Sequence, residues 1–327
     1  MVSAFTLTLR FAWSDHFSLR SYAIRRIARI GPAFWLAALG YALLAGLGPR
    51  SGAPNGLTTA DILTALVFGN AWSGGAAQAV VPGGWSISCE FAFYAWLPIA
   101  VWATRLRVRS MLVATVLSTI VAQLLSRGTI AGLTLPRLDY ANPVLQMPVF
   151  MFGMCAACFV LRFEVGRTDA VALGSLVIAI VVIPFTPIHG WYLQQHLQFA
   201  LVASVAVGAA AMHAPALLSG PFIRKMGEVS FSLYLIHFAL LAPILYLINW
   251  IAPRPDWLTF ILYFISTTAT AFFLARVTHR YIERPAIVWA ATATSRAGSS
   301  RVTPFRLATT TAKPSPGSST PEGPAPP

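Results

Sequence analysis

The sequence predicts an all-α fold, a polytopic transmembrane helix bundle of about eight complete spans plus an N-terminal partial span, and three observations carry that prediction. Hydrophobic residues make up 57% of the 327 and charged residues 10%, with a mean hydropathy of +0.68. A soluble domain carries about 25% charge. Apolar stretches of about 18 residues or more recur along the chain, which is the length that crosses the hydrocarbon of a bilayer as a helix. Basic residues collect in alternate connections between those stretches.

Residues 2–12 are apolar but too short to cross about 30 Å of hydrocarbon, and arginines follow them instead of preceding them as in a secretory signal. They read as the second half of a span. Complete spans follow near 31–48, 85–104, 110–126, 141–161, 170–187, 197–215, 229–252 and 257–276. The connection 49–84 carries Gly, Pro and Asn, with one short lip helix expected near Asp61 to Asn70. From residue 291 the chain turns to Ser, Thr, Pro and Gly, too polar to offset ordering entropy, so 1–290 is expected to be the membrane domain and 291–327 a disordered tail.

The net charge of +13 raises the question of nucleic acid, and the placement of the charge answers it. With alternate connections assigned to the cytoplasm, nineteen of the 23 lysines and arginines fall there, leaving Arg50, Arg127, Arg137 and Arg254 opposite. That is the positive-inside pattern of a multi-pass protein of the cell membrane with a cytoplasmic C-terminus, and no nucleic-acid partner is needed. The expected partner is the bilayer.

Glu90 stands out in the apolar run Trp85 to Pro98. A carboxylate at that depth costs about 3 kcal/mol on insertion scales, so such a group faces a polar cavity, a partner charge or a substrate path. Ser86, Glu90 and Tyr94 recur at i, i+4 and i+8, a polar stripe on one helical face.

Arg26 and Arg29, three apart at the head of the first complete span, can grip phosphate oxygens bidentately or simply hold the span against anionic headgroups; spacing by itself favours the second. Ser230, Tyr234 and His237 share a face of the seventh span, where His237 is either a base or relay or a packing histidine. His279 and Glu283 read as a local ion pair, with a helix stop before Pro285. Cys155 and Cys158 form a C-x-x-C inside an apolar helix without a second pair, so they and Cys89 read as small buried residues, and no metal site is expected.

In order along the chain stand Ser3-Ala-Phe5, Arg26-x-x-Arg29-Ile-x-Pro32, Trp85-Ser-Ile-Ser-x-Glu90-Phe-x-Phe-Tyr94, Gly227-x-x-Ser230-Phe-Ser-Leu-Tyr234-Leu-Ile-His237 and Tyr281-Ile-Glu283-Arg-Pro285. That series resembles the acyltransferase family 3 membrane proteins, bacterial O-acyltransferases acting on cell-surface sugars, polysaccharides and some secondary metabolites. The resemblance covers residues 2–288. It implies about ten spans with both termini cytoplasmic. It also implies transfer of an acyl group, expected to be acetyl, from cytoplasmic acyl-CoA to a hydroxyl of a carbohydrate or small-molecule acceptor.

On this resemblance Arg26 and Arg29 match the pair associated with coenzyme A, which outweighs the topogenic reading. Glu90 matches the intramembrane glutamate, and His237 the histidine of the late Y-L-I-H motif; these two are the catalytic candidates. The family's first helix carries an Arg and a His regarded as catalytic, and this chain begins after it. One helix and half of the next are therefore expected upstream, and the chain as given is expected to lack the full machinery. A proton-coupled transporter, for which an intramembrane acid and a buried histidine are equally suited, is the alternative.

Overall fold

The computed structural model describes residues 1–13, 17–73, 75–127, 129–130, 133–134, 138–162, 195–212, 220–251 and 257–295. They form an all-α polytopic bundle: α1 (Val2–Ala12), α2 (Leu19–Ala45), the lip helices α3 (Thr59–Leu66) and α4 (Asn70–Ser73), then α5 (Gly84–Thr104), α6 (Val108–Arg127), α7 (Pro143–Arg162), α8 (Gln195–Met212), α9 (Pro221–Ile251), α10 (Trp257–Thr278) and α11 (Arg284–Ser295). Thr129–Ile130 and Leu133–Thr134 add a two-residue antiparallel ladder in the α6–α7 connection. Seven helices among the described residues are long and apolar enough to cross a membrane. The span predicted at 170–187 lies outside the described residues.

The helix that contains the first complete span begins at Leu19, well before the apolar run near residue 31. Ser18 caps it by accepting the Ser21 N–H at 3.3 Å, and arginine is a good helix former that a search for apolar runs passes over. The arginine pair therefore sits inside α2. The stop predicted before Pro285 is absent: α10 continues through a π-helical turn, His279–Glu283, into α11. The Arg284 N–H bonds the His279 carbonyl five residues back, so the turn widens where Pro285 has no N–H to give. Helix α11 ends at Ser295, and 296–327 lie outside the described residues.

The core forms where α1, α2, α5, α6 and α7 meet the lip. Phe34, Phe93, Leu97, Met111 and Met154 are fully buried there. Phe93 stacks on Phe150 with centroids 4.6 Å apart, tying α5 to α7, and Phe68 stacks on Phe91 at 4.1 Å, tying the lip to α5. At Gly153, α1 approaches so closely that an added Cβ would lie 2.5 Å from the Met1 carbonyl.

A capping box starts α3. The Thr58 hydroxyl accepts the Asp61 N–H at 3.2 Å, and Asp61 Oδ2 accepts the Thr58 hydroxyl at 2.6 Å and its N–H at 2.8 Å. The Thr58 hydroxyl and then its N–H hold the exposed Asp61 carboxyl below its ordinary value.

Candidate functional site

Helices α2 and α5 run antiparallel, and two contacts fix their register. The Phe34 ring meets Gly84, 3.3 Å from where a Cβ would stand, and the Tyr22 hydroxyl donates to the Tyr94 carbonyl at 3.0 Å. Arg26 and Arg29 lie between these points on α2, and Glu90 lies between them on α5. The arginine pair and the carboxylate therefore occupy one level of the bundle.

Tyr94 joins them. Its hydroxyl donates to Glu90 Oε1 at 2.7 Å, and the Arg26 guanidinium stands 5.6 Å from its ring centroid and 5.8 Å from that of Tyr22. Both phenol hydroxyls are within electrostatic reach of Arg26 and Glu90, and Arg29 reaches Tyr94 as well. Cation–π contacts of this kind are worth about 0.5–2 kcal/mol, more as water is excluded. They leave the guanidinium N–H groups for other partners: Arg26 Nε is buried and has no hydrogen-bond acceptor. Arg25 points elsewhere, its Nε donating to Thr294 Oγ1 at 2.9 Å and so fastening α2 to α11.

The polar stripe read from the sequence is split between two clusters. Glu90 and Tyr94 belong with Arg26, whereas the Ser86 and Tyr234 hydroxyls share a hydrogen bond of 2.9 Å, and both reach the Gly83 carbonyl. The face predicted for Ser230, Tyr234 and His237 is likewise divided. Ser230 is exposed and bonds the Gly227 carbonyl of its own helix. His237 is half-buried, with Nδ1 3.3 Å from the Leu233 carbonyl and its ring 5.7 Å from that of Tyr234. It makes no contact with Glu90.

One group was underrated in the sequence. Glu283 is only 1% exposed; Ser232 donates to one oxygen and His279 Nδ1 donates to the other at 3.0 Å. The i, i+4 spacing showed the His279–Glu283 pair, but Ser232 comes from another helix 51 residues away. Cys89, Cys155 and Cys158 are free and buried, Cys89 donating to the Ala141 carbonyl at 3.2 Å. No three His, Cys, Asp or Glu side chains among the described residues converge on one point.

Along α2, the face that carries Arg26 and Arg29 continues into a groove between α2 and α9. It holds about 170 Å³, with Ala33, Ala37, Gly40 and Tyr41 on one wall, Leu235 and Ala239 on the other, and Ser232 and Thr278 at its polar end. A guanidinium pair, a carboxylate positioned by a phenol, and an apolar channel leading away from them can together hold a charged, elongated ligand and move a proton at its reacting end.

Comparison with known proteins matches residues 1–276 to a family described as an acyltransferase domain. Neither the curated proteins nor the solved structures contain a match.

Proposed function

The chain belongs to the acyltransferase family 3 of membrane acyltransferases, and on that premise we propose that it moves an acyl group from cytoplasmic acyl-CoA to a hydroxyl of a cell-surface carbohydrate or secondary metabolite. Acetyl-CoA is the expected donor. The setting is the inner membrane, with the C-terminus on the cytoplasmic side, as the distribution of basic residues favours.

The observation that carries the reading is the Arg26–Tyr94–Glu90 cluster, in which a cation with a buried, unpartnered Nε and a carboxylate flank one phenol. Arg26 and Arg29 engage the donor; a guanidinium offers five donors in a planar fork suited to phosphate or a polarised carbonyl. In the transfer step a histidine base, expected from the family resemblance, takes the acceptor's hydroxyl proton. The oxygen attacks the thioester carbonyl, the carbon–sulfur bond breaks, and the coenzyme A thiolate leaves and is protonated. Glu90, fixed by Tyr94, balances the charge on the imidazolium; general-base assistance of this type contributes about 10²–10⁴-fold. His237, which does not touch Glu90, is assigned no step.

Transfer of label from acyl-CoA in membranes containing the protein tests the proposal. Labelled product that disappears in the Arg26→Ala, Arg29→Ala double variant supports it. Undiminished transfer in that variant rules out the docking role.

A further inference from the structure

We propose that the groove between α2 and α9 receives the acyl chain of the donor, so that the transferable groups include linear chains well beyond acetyl. The inference rests on the acyl-CoA reading above and names the substrate class within it. Tyr22, Arg26, Arg29, Ala33 and Gly40 fall within about 60° of one another around α2 at 3.6 residues per turn. The groove's first wall residue, Ala33, is one turn beyond Arg29, about 6 Å along the axis, and its last, Leu44, is about 16 Å further on at 1.5 Å per residue. One continuous strip of helix thus presents two cations beside Glu90 and then a narrow apolar trough.

Small residues make the trough. Ala33, Ala37 and Gly40 on α2 face Ala239 on α9, and an added Cβ at Gly40 would meet no atom within 4 Å, so the space beside it is open. Occupancy by the acyl chain is favoured by burial of each methylene, while the thioester end of the same molecule meets the guanidinium groups. With the guanidinium groups at the level of Glu90, the part of the donor they meet is the polarised thioester carbonyl, which sets the acyl chain at the mouth of the trough; a bilayer lipid chain resting in a crevice has no need of the arginines.

The test uses the full chain in proteoliposomes with octanoyl-CoA bearing a terminal diazirine. The proposal expects photolabel on residues 33–44 and 232–239, suppressed by excess coenzyme A. It also expects the octanoyl-to-acetyl transfer ratio to fall about tenfold or more in Gly40→Leu, and independently in Ala239→Leu, which fills the trough from the other wall. Labelling that persists in excess coenzyme A marks a bilayer-lipid crevice and overturns the proposal. An octanoyl-to-acetyl ratio unchanged in both folded variants overturns it too. If acetyl transfer proceeds while the octanoyl probe labels elsewhere, only the groove assignment fails; if no thioester reacts with or protects the wild-type protein, the acyl-CoA reading fails with it.

Discussion

Tyr94 donates its phenolic proton to Glu90 one turn earlier on α5 at 2.7 Å, and its ring faces the Arg26 guanidinium of α2 at 5.6 Å. One side chain therefore holds a carboxylate in place and forms the wall for a cation. Helix geometry fixes the first contact, and only the antiparallel register of α2 on α5 creates the second.

Replacing both arginines should cripple donor use. Each charge-assisted hydrogen bond is worth about 1.5–3 kcal/mol, so Arg26→Ala with Arg29→Ala is expected to raise KM for acyl-CoA by about 10²–10⁴-fold. Arg26→Lys should not restore it, because an ammonium offers no planar fork. Steady-state kinetics with labelled acetyl-CoA check both.

Glu90→Gln keeps an oxygen to accept the Tyr94 proton but removes the charge. Transfer is expected to fall about 10²–10³-fold with unchanged thermal unfolding. Tyr94→Phe removes one hydrogen bond to the carboxylate and should cost about tenfold or more. Equal rates for wild type and Glu90→Gln would remove the carboxylate from the reaction.

Glu283 predicts a stability effect. Ser232→Ala leaves one buried carboxylate oxygen without its donor and should cost about 1–3 kcal/mol. Glu283→Ala also removes the partner of His279 and should cost more. Thermal unfolding in detergent measures both, and no loss in Ser232→Ala would show that water or another group replaces the hydroxyl.

Gly83→Ala should destabilise the start of α5 by about 2 kcal/mol or more. Gly83 has φ +73°, a left-handed conformation, and a Cβ there would lie 2.6 Å from the Tyr234 hydroxyl and 2.8 Å from the Phe238 ring. Reduced thermal stability is the expected result, and Tyr234→Phe should not rescue it because Phe238 still blocks the site.

The capping box of α3 is sensitive to acid. Asp61 is held below its ordinary 3.8 by the Thr58 hydroxyl and N–H. A depressed value means the folded state favours the carboxylate, so the cap's contribution is complete above pH 3.8 and is lost as pH falls through the lower folded value. Amide exchange of residues 59–66 should lose protection in that acid range in the wild type, and Asp61→Asn should show weakened protection already at neutral pH. Identical protection at every pH would refute the cap's role.

Composition and the spacing of apolar runs were enough to show an all-α membrane bundle, because burial of backbone polar groups in hydrocarbon leaves helices as the economical solution for such sequences. The i, i+4 relations Glu90–Tyr94 and His279–Glu283 were equally legible, since both partners ride on one helix. Contacts between helices were not. The meeting of Arg26 with Tyr94, of Ser86 with Tyr234 and of Ser232 with Glu283 depends on register and rotation, which side-chain packing sets and no local pattern encodes. The sequence alone thus determined what the helices are and which residues are out of place in lipid; the tertiary structure decided which of those residues share a site.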